Sequence, residues 1–279
     1  MFLLHRRIAP HSVGCVTTTR ANGITIGYDD EGTGDAVVLV HGHPFDRSMW
    51  RPQTRSLAEA GWRAIAPDLR GYGQSSVVPG STSLETFARD ILALLDRLRV
   101  RRFALAGLSM GGQIALELQR LVPDRIRALV LADTSPHAET PEGRVRRRAQ
   151  ADRLLAEGMR GYADEVLTTM IAPHTVETAP LVALHVSAMM RGAPPQGAAA
   201  ALRGRAERRD YVDLLGRITV PTLVMVGSED EFTPVEVARF LHERIPGSQL
   251  AIIEGAAHLP NLEREREFSE IVEKFLLTT

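Results

Sequence analysis

The sequence predicts an α/β fold in which helices flank a largely parallel sheet and one block of helices interrupts the alternation. Three observations carry this expectation. Apolar runs of strand length alternate with amphipathic stretches of helix length up to about residue 134 and again from residue 222, the pattern of right-handed βαβ crossovers. One run, Ala36-Val37-Val38-Leu39-Val40, is apolar without interruption, which suits a strand covered on both faces. Between residues 135 and 213 strand signals vanish and helical periodicity persists.

The opening is β-rich, with strands expected at 16–19 and 24–28 on either side of Asn22-Gly23, two residues that accept the left-handed backbone of a tight hairpin. After the Gly32-Thr33-Gly34 turn comes strand 36–40. A helix capped by Asp46 or Ser48 should run to about residue 60, followed by strand 63–66. Thr82 and Glu85 have capping-box spacing for a helix that reaches residue 98. Strand 103–106, helix 110–121 and strand 128–131 follow. Helical stretches are expected at 144–156, 162–171, 180–190 and 196–208, a segment that includes a short alanine run at 198–201. The alternation resumes with strand 222–226, helix 235–244, strand 250–253 and helix 262–277. The expected organisation is a tail (1–15), a core (16–134 and 214–279) and an inserted helical cap (135–213).

Composition narrows the function. A chain of 279 residues, 44% hydrophobic, can bury a substantial core. Its 33 basic and 34 acidic residues nearly cancel, so charge gives no reason to expect nucleic acid or an anionic membrane as partner. Arg144, Arg146, Arg147 and Arg148 lack interleaved aromatics and are expected to form a solvated helix face. Charge therefore points to a small neutral or modestly polar partner. The single cysteine, Cys15, excludes an intrachain disulfide and fits a reducing compartment. His5-Arg6-Arg7 interrupts the apolar residues 1–4, too few for a secretory signal, and Ser12-Val13-Gly14-Cys15 lacks the apolar segment a lipoprotein cleavage site needs. No run of 18 apolar residues exists, and a cytoplasmic protein is expected.

The chemistry starts at Gly107-Leu108-Ser109-Met110-Gly111, between a strand and a helix. A turn that tight needs small neighbours and thrusts its central hydroxyl out at the carboxyl end of the sheet. Serine is a weak nucleophile near neutral pH, so the motif requires a histidine base and an orienting carboxylate further along. His258 follows the last strand in Gly255-Ala256-Ala257-His258-Leu259-Pro260, and Asp230 follows the strand before it, flanked by Glu229 and Glu231. Asp133, after strand 128–131, competes with Asp230 for the acid's role. In the loop His41-Gly42-His43-Pro44-Phe45, the backbone N–H of His43 is placed to meet a developing oxyanion together with that of Met110. His41-x-His43 with Asp46 also resembles part of a dinuclear metal signature, but Asp46 falls one residue late and no histidine follows it; no metal is expected. In Asp68-Leu69-Arg70-Gly71-Tyr72-Gly73, Asp68 and Arg70 are expected to pair and brace the loop, and the third glycine of a dinucleotide fingerprint is missing.

With these motifs in this order, the chain resembles the α/β-hydrolase family from residue 16 onward. The phrases His41-Gly42-His43-Pro44-Phe45-Asp46-Arg47-Ser48-Met49-Trp50 and Ala66-Pro67-Asp68-Leu69-Arg70-Gly71 look like the branch of 3-oxoadipate enol-lactonases and small carboxylesterases, where residue 43 is more often bulky and apolar. The resemblance implies a mostly parallel eight-stranded sheet with an inserted helical cap, and a cofactor-free serine hydrolase acting on a small ester or lactone. Ser109, Asp230 and His258 would form its triad, with the N–H groups of His43 and Met110 as the oxyanion hole. His43, Phe45, His137, Met170, Met190 and Leu259 are the candidate pocket residues, although Met170, Met189 and Met190 also suit ordinary packing. Relatives that open epoxides or carbon–halogen bonds carry aspartate where Ser109 stands, and Tyr162 and Tyr211 in the cap do not restore that chemistry. A carbon–carbon bond hydrolase, a thioesterase docking a carrier on the arginines at 144–148, and a ligand receptor that retains the triad are the alternatives.

Overall fold

The computed structural model describes residues 17–279, so the expected tail and Cys15 lie outside the described residues. Eight strands form one sheet in the order β1-β2-β4-β3-β5-β6-β7-β8. These are β1 (Thr17–Ala21), β2 (Ile24–Glu31), β3 (Ala36–Val40), β4 (Arg63–Pro67), β5 (Phe103–Leu108), β6 (Ile126–Ala132), β7 (Thr222–Gly227) and β8 (Gln249–Ile253). β2 runs antiparallel to both β1 and β4, and every other neighbouring pair is parallel. Asn22 and Gly23 take φ of 47° and 77°, the left-handed pair that a two-residue hairpin requires.

Alternation along the buried strands builds two cores, one on each face of the sheet. Val38, Val40, Leu105, Leu129 and Leu131 point to one, and Val37, Leu39, Ala104, Ala106, Ala128 and Val130 to the other. The helices that cover the sheet are α1 (Arg51–Glu59), α2 (Leu84–Arg97), α3 (Met110–Leu121), α10 (Val235–Arg244), α11 (Pro260–Glu263) and α12 (Glu265–Leu276). In α2 the buried positions Leu84, Phe87, Ala88, Ile91, Leu94 and Leu95 form one helical stripe. Each large apolar side chain so buried contributes roughly 1.5–3 kcal/mol.

Between β6 and β7 the chain is helical: α4 (Pro141–Glu157), α5 (Arg160–Met170), α6 (Pro173–Thr178), α7 (Pro180–Gly192), α8 (Pro195–Ala206) and α9 (Val212–Leu215). The alanine run lies in α8, which packs along α4 and is buried over most of its circumference. Its small side chains permit very close approach to the core: a Cβ on Gly204 would stand 1.7 Å from the Thr82 carbonyl oxygen, and one on Gly197 2.0 Å from that of Gly71. Among the described residues no helix is long and apolar enough to cross a membrane.

Four local expectations are corrected. The segment after Asp46 starts as a 3-10 turn over Arg47–Trp50, with Asp46 accepting from the Ser48 N–H, before α1 begins. The cap of α2 is Ser83, whose hydroxyl accepts from the Thr86 N–H; the Thr82 N–H instead donates to the Ala200 carbonyl in α8, and Glu85 pairs with Arg89. Asp68 and Arg70 do not pair: Asp68 meets Arg47, and Arg70 makes a two-pronged bond to Asp90. The C-terminal helix is broken at Arg264, whose φ and ψ of −131° and 51° are not helical.

Candidate active site

The parallel strands all deliver their carboxyl ends to one edge, and the loops there hold His43 after β3, Ser109 after β5, Asp133 after β6, Asp230 after β7 and His258 after β8. Ser109 has φ 58° and ψ −117°, a strained conformation of the order of 1–3 kcal/mol that the surroundings impose. Its N–H donates to the Ala132 carbonyl at 2.9 Å, and its carbonyl accepts from the Thr134 hydroxyl at 2.7 Å. The flanking glycines are steric necessities. A Cβ on Gly107 would lie 2.2 Å from the Gly111 carbonyl oxygen, and one on Gly111 2.0 Å from that of Val40.

The Ser109 hydroxyl lies 2.8 Å from His258 Nε2, and His258 Nδ1 lies 2.8 Å from Asp230 Oδ2. All three side chains are buried. Asp230 Oδ1 accepts the backbone N–H groups of Phe232 and Thr233 at 2.8 and 3.1 Å, and Oδ2 also accepts the Thr233 hydroxyl. Burial alone would raise the carboxyl's pKa, but the charge and hydrogen bond of His258 and the bonds from Thr233 outweigh it, leaving Asp230 below the usual carboxylate range.

Asp133 accepts the Gly227 N–H on Oδ1 at 2.9 Å and has no bond to His258; its buried Oδ2 has no partner among the described residues. Burial, reinforced by the charge of Asp230, pushes its pKa well above the ordinary carboxyl value. Asp133, Asp230 and His258 are the described His and acidic side chains close enough to share a cation, though both imidazole nitrogens already have partners.

The two histidines of the first loop are committed elsewhere. His41 Nδ1 bonds its neighbour's carbonyl at 2.8 Å and Nε2 accepts the Leu69 N–H at 2.9 Å. His43 Nδ1 meets the Tyr72 hydroxyl at 2.7 Å, while Nε2 is buried without a described partner. Burial, with Arg205 and Arg147 adding to it, holds the His43 imidazole well below its ordinary pKa. The backbone N–H groups of His43 and Met110 take part in no hydrogen bond with the described residues.

A cavity of about 490 Å³ opens beside Ser109 and His258, between the sheet edge and helices α4, α5 and α8. Of the candidate pocket residues, His43 and Met170 line it. Phe45, Met190 and Leu259 do not; they are wholly buried in the core on one face of the sheet. His137 is also absent from the wall, being half-exposed against Phe240 and near Asp210. Sequence reasoning missed Gln113, Tyr162, Phe232 and above all a group of arginines. Arg144 and Arg148 do face solvent and approach Glu207, but Arg147 turns inward to pair with Glu139, which also accepts from Arg208 at 2.7 Å. Burial would raise Glu139, yet these two guanidiniums hold it down to about 2. One signal was available: α8 is rich in alanine and glycine yet carries Arg203 and Arg205 two positions apart, on nearly opposite sides of the helix, so burying most of α8 encloses one of the two charges.

The family model for the alpha/beta hydrolase fold matches residues 35–265. The chain is 38% identical to a thermophilic esterase from Thermogutta terrifontis whose structure has malate bound, with a TM-score of 0.90 and coverage of 94% of this chain and 97% of that one. It is 27% identical over 266 residues to 3-oxoadipate enol-lactonase 1 of Acinetobacter baylyi, covering 95% of this chain and 97% of the relative. It is also 30% identical over 273 residues to a non-heme chloroperoxidase of Kitasatospora aureofaciens, covering 87% and 91% respectively.

Proposed function

This chain belongs to the alpha/beta hydrolase fold family, and on that premise we propose that it is a serine hydrolase of a small ester or lactone, working through an acyl-enzyme beneath a cap formed by α4–α9. The observation that carries the reading is the unbroken chain from Ser109 Oγ through both nitrogens of His258 to Asp230, at 2.8 Å in each link. His258 removes the Ser109 proton as the hydroxyl attacks the carbonyl carbon. The resulting imidazolium is stabilised by Asp230, which lies on its far side.

The N–H groups of His43 and Met110 receive the oxyanion, and two donors of this kind contribute about 3–4 kcal/mol each. His258 then hands its proton to the departing alkoxide. With an ester the alcohol leaves; with a lactone it remains tethered as the far end of the acyl chain. Water, deprotonated by the same histidine, releases the acid. No step calls on a cofactor.

Labelling with a fluorophosphonate followed by mass spectrometry of the digest tests the nucleophile, and the expected adduct is on Ser109. A panel of 4-nitrophenyl esters, γ-lactones, enol-lactones, thioesters and β-diketones tests the bond. Label on another residue, or hydrolysis that survives Ser109→Ala, refutes the reading.

A further inference from the structure

The cavity that holds Ser109 carries more positive charge than its own carboxylates balance. Arg147 and Arg208 share one carboxylate, Glu139, and Arg146 stands exposed at the rim. Arg205 is more than nine-tenths buried, and the one hydrogen bond of its side chain to the described residues is from Nε to the neutral oxygen of Gln113 at 3.2 Å; no described carboxylate lies within ion-pairing distance of it. The phenols nearest it, Tyr72 and Tyr162, are kept neutral by burial and supply no countercharge.

A buried guanidinium without a counter-ion is costly, whereas a bidentate carboxylate satisfies both its charge and its geometry. The fold goes to some trouble to place it there. Gly204, beside Arg205, presses against the Thr82 carbonyl, where no side chain would fit. Gln113, which holds the guanidinium by Nε, is one turn along α3 from Ser109, roughly 6 Å on the helix rise. The terminal nitrogens of Arg205 are thereby left for a ligand in the same cavity that Ser109 lines.

We propose that Arg205 binds a carboxylate carried by the substrate, so that the ester or lactone hydrolysed at Ser109 is an anion. This inference rests on the hydrolase reading for its reaction, but its recognition element is separate from the triad. Arg147 and Arg208 are held by Glu139 as flanking charges, and Arg205 supplies the direct contact.

Two matched pairs of probes test it. 4-Nitrophenyl hydrogen glutarate is compared with 4-nitrophenyl valerate for a carboxylate on the acyl side, and 4-acetoxybenzoate with its methyl ester for one on the alcohol side. At least one anionic probe should exceed its neutral partner in kcat/KM by tenfold or more, mainly through KM. Arg205→Met should cut that ratio at least tenfold, and Arg205→Lys should restore part of it. A general loss of structure would lower both members of a pair and leave the ratio in place.

If Arg205→Met does not fold, the intact protein still decides. Glutarate should inhibit where glutaramide does not, and the anionic preference should shrink as salt rises. Binding is also read without turnover, as a rise in melting temperature of Ser109→Ala with glutarate and none with glutaramide. No turnover of any ester with that shift present would sink the hydrolase reading and keep the anion site. Turnover with no anionic preference, or with a preference that Arg205→Met leaves unchanged, overturns the proposal.

Discussion

Replacing Asp230 with asparagine changes one atom and should disable the site. The two backbone N–H groups that meet Oδ1, from Phe232 and Thr233, are fixed donors, so the amide must present its oxygen to them. Its NH2 group then occupies the place of Oδ2, facing His258 Nδ1 and the Thr233 hydroxyl. The hydroxyl can rotate to accept. Nδ1 must accept as well, which moves the imidazole proton to Nε2, where a lone pair is needed 2.8 Å from Ser109.

A second loss adds to the first. The imidazolium of the transition state forfeits a full negative charge at about 4 Å, worth ~4 kcal/mol at an effective dielectric constant of about 20. That alone is about a thousandfold in rate. The wrong tautomer brings the expected total to the ~10⁴-fold seen for the same exchange in the serine-protease triad. The assay is kcat/KM on 4-nitrophenyl acetate together with the rate of fluorophosphonate labelling, with a melting curve to establish folding. A folded Asp230→Asn variant that kept a tenth of the wild-type kcat/KM would refute this assignment of the acid.

Three further outcomes are expected. Ser109→Ala and His258→Ala should each lower turnover by several orders of magnitude and the double variant scarcely further, since the two act as a unit; multiplicative losses in steady-state kinetics would argue against that. Asp133 is raised by burial and by Asp230, so above about 3.8, its unfolded value, the folded chain keeps a proton that the unfolded chain has released, and stability declines as pH rises. Asp133→Asn should therefore gain melting temperature over the wild type from about pH 4 upward while turnover changes little, and a pH-independent gap would contradict it. Glu139 has the opposite sign: its contribution is fully present above 4.5 and is lost as pH falls toward about 2. The melting deficit of Glu139→Gln should thus hold steady at neutral pH and close below about 4.5; a deficit that widens there would count against the Arg147 and Arg208 pairing.

The sheet was legible because β3, β5 and β6 beyond Arg127 are buried on both faces and carry only apolar residues and glycine there, so their sequences declare them. The elbow was legible for a steric reason, since Gly107 and Gly111 sit where a single methyl group would collide with backbone. The pocket was not. Its wall is set by how helices from the 135–213 segment rotate against the core, and periodicity fixes a helix's apolar face without saying which polar side chains are then trapped beneath it. Arg147 and Arg148 are adjacent in sequence, yet one enters the cavity and the other reaches an exposed carboxylate. Met170 and Met190 were equal candidates, and only the first reaches the wall. Asp68 and Arg70 are two apart on opposite sides of a turning loop, so each takes a partner distant in sequence.

Glu263, in the helical turn that follows His258, accepts the Ala257 N–H at 2.8 Å on one oxygen, and the Ala172 N–H and Thr175 hydroxyl on the other. One buried carboxylate thus fastens α6 to the residue preceding His258. Lifting α6 would strand that carboxylate and slacken the loop that carries His258. A chimera that borrowed another protein's 135–213 segment would have to bring its own donors for Glu263, or it would inherit a misaligned His258 with Ser109 and Asp230 still present.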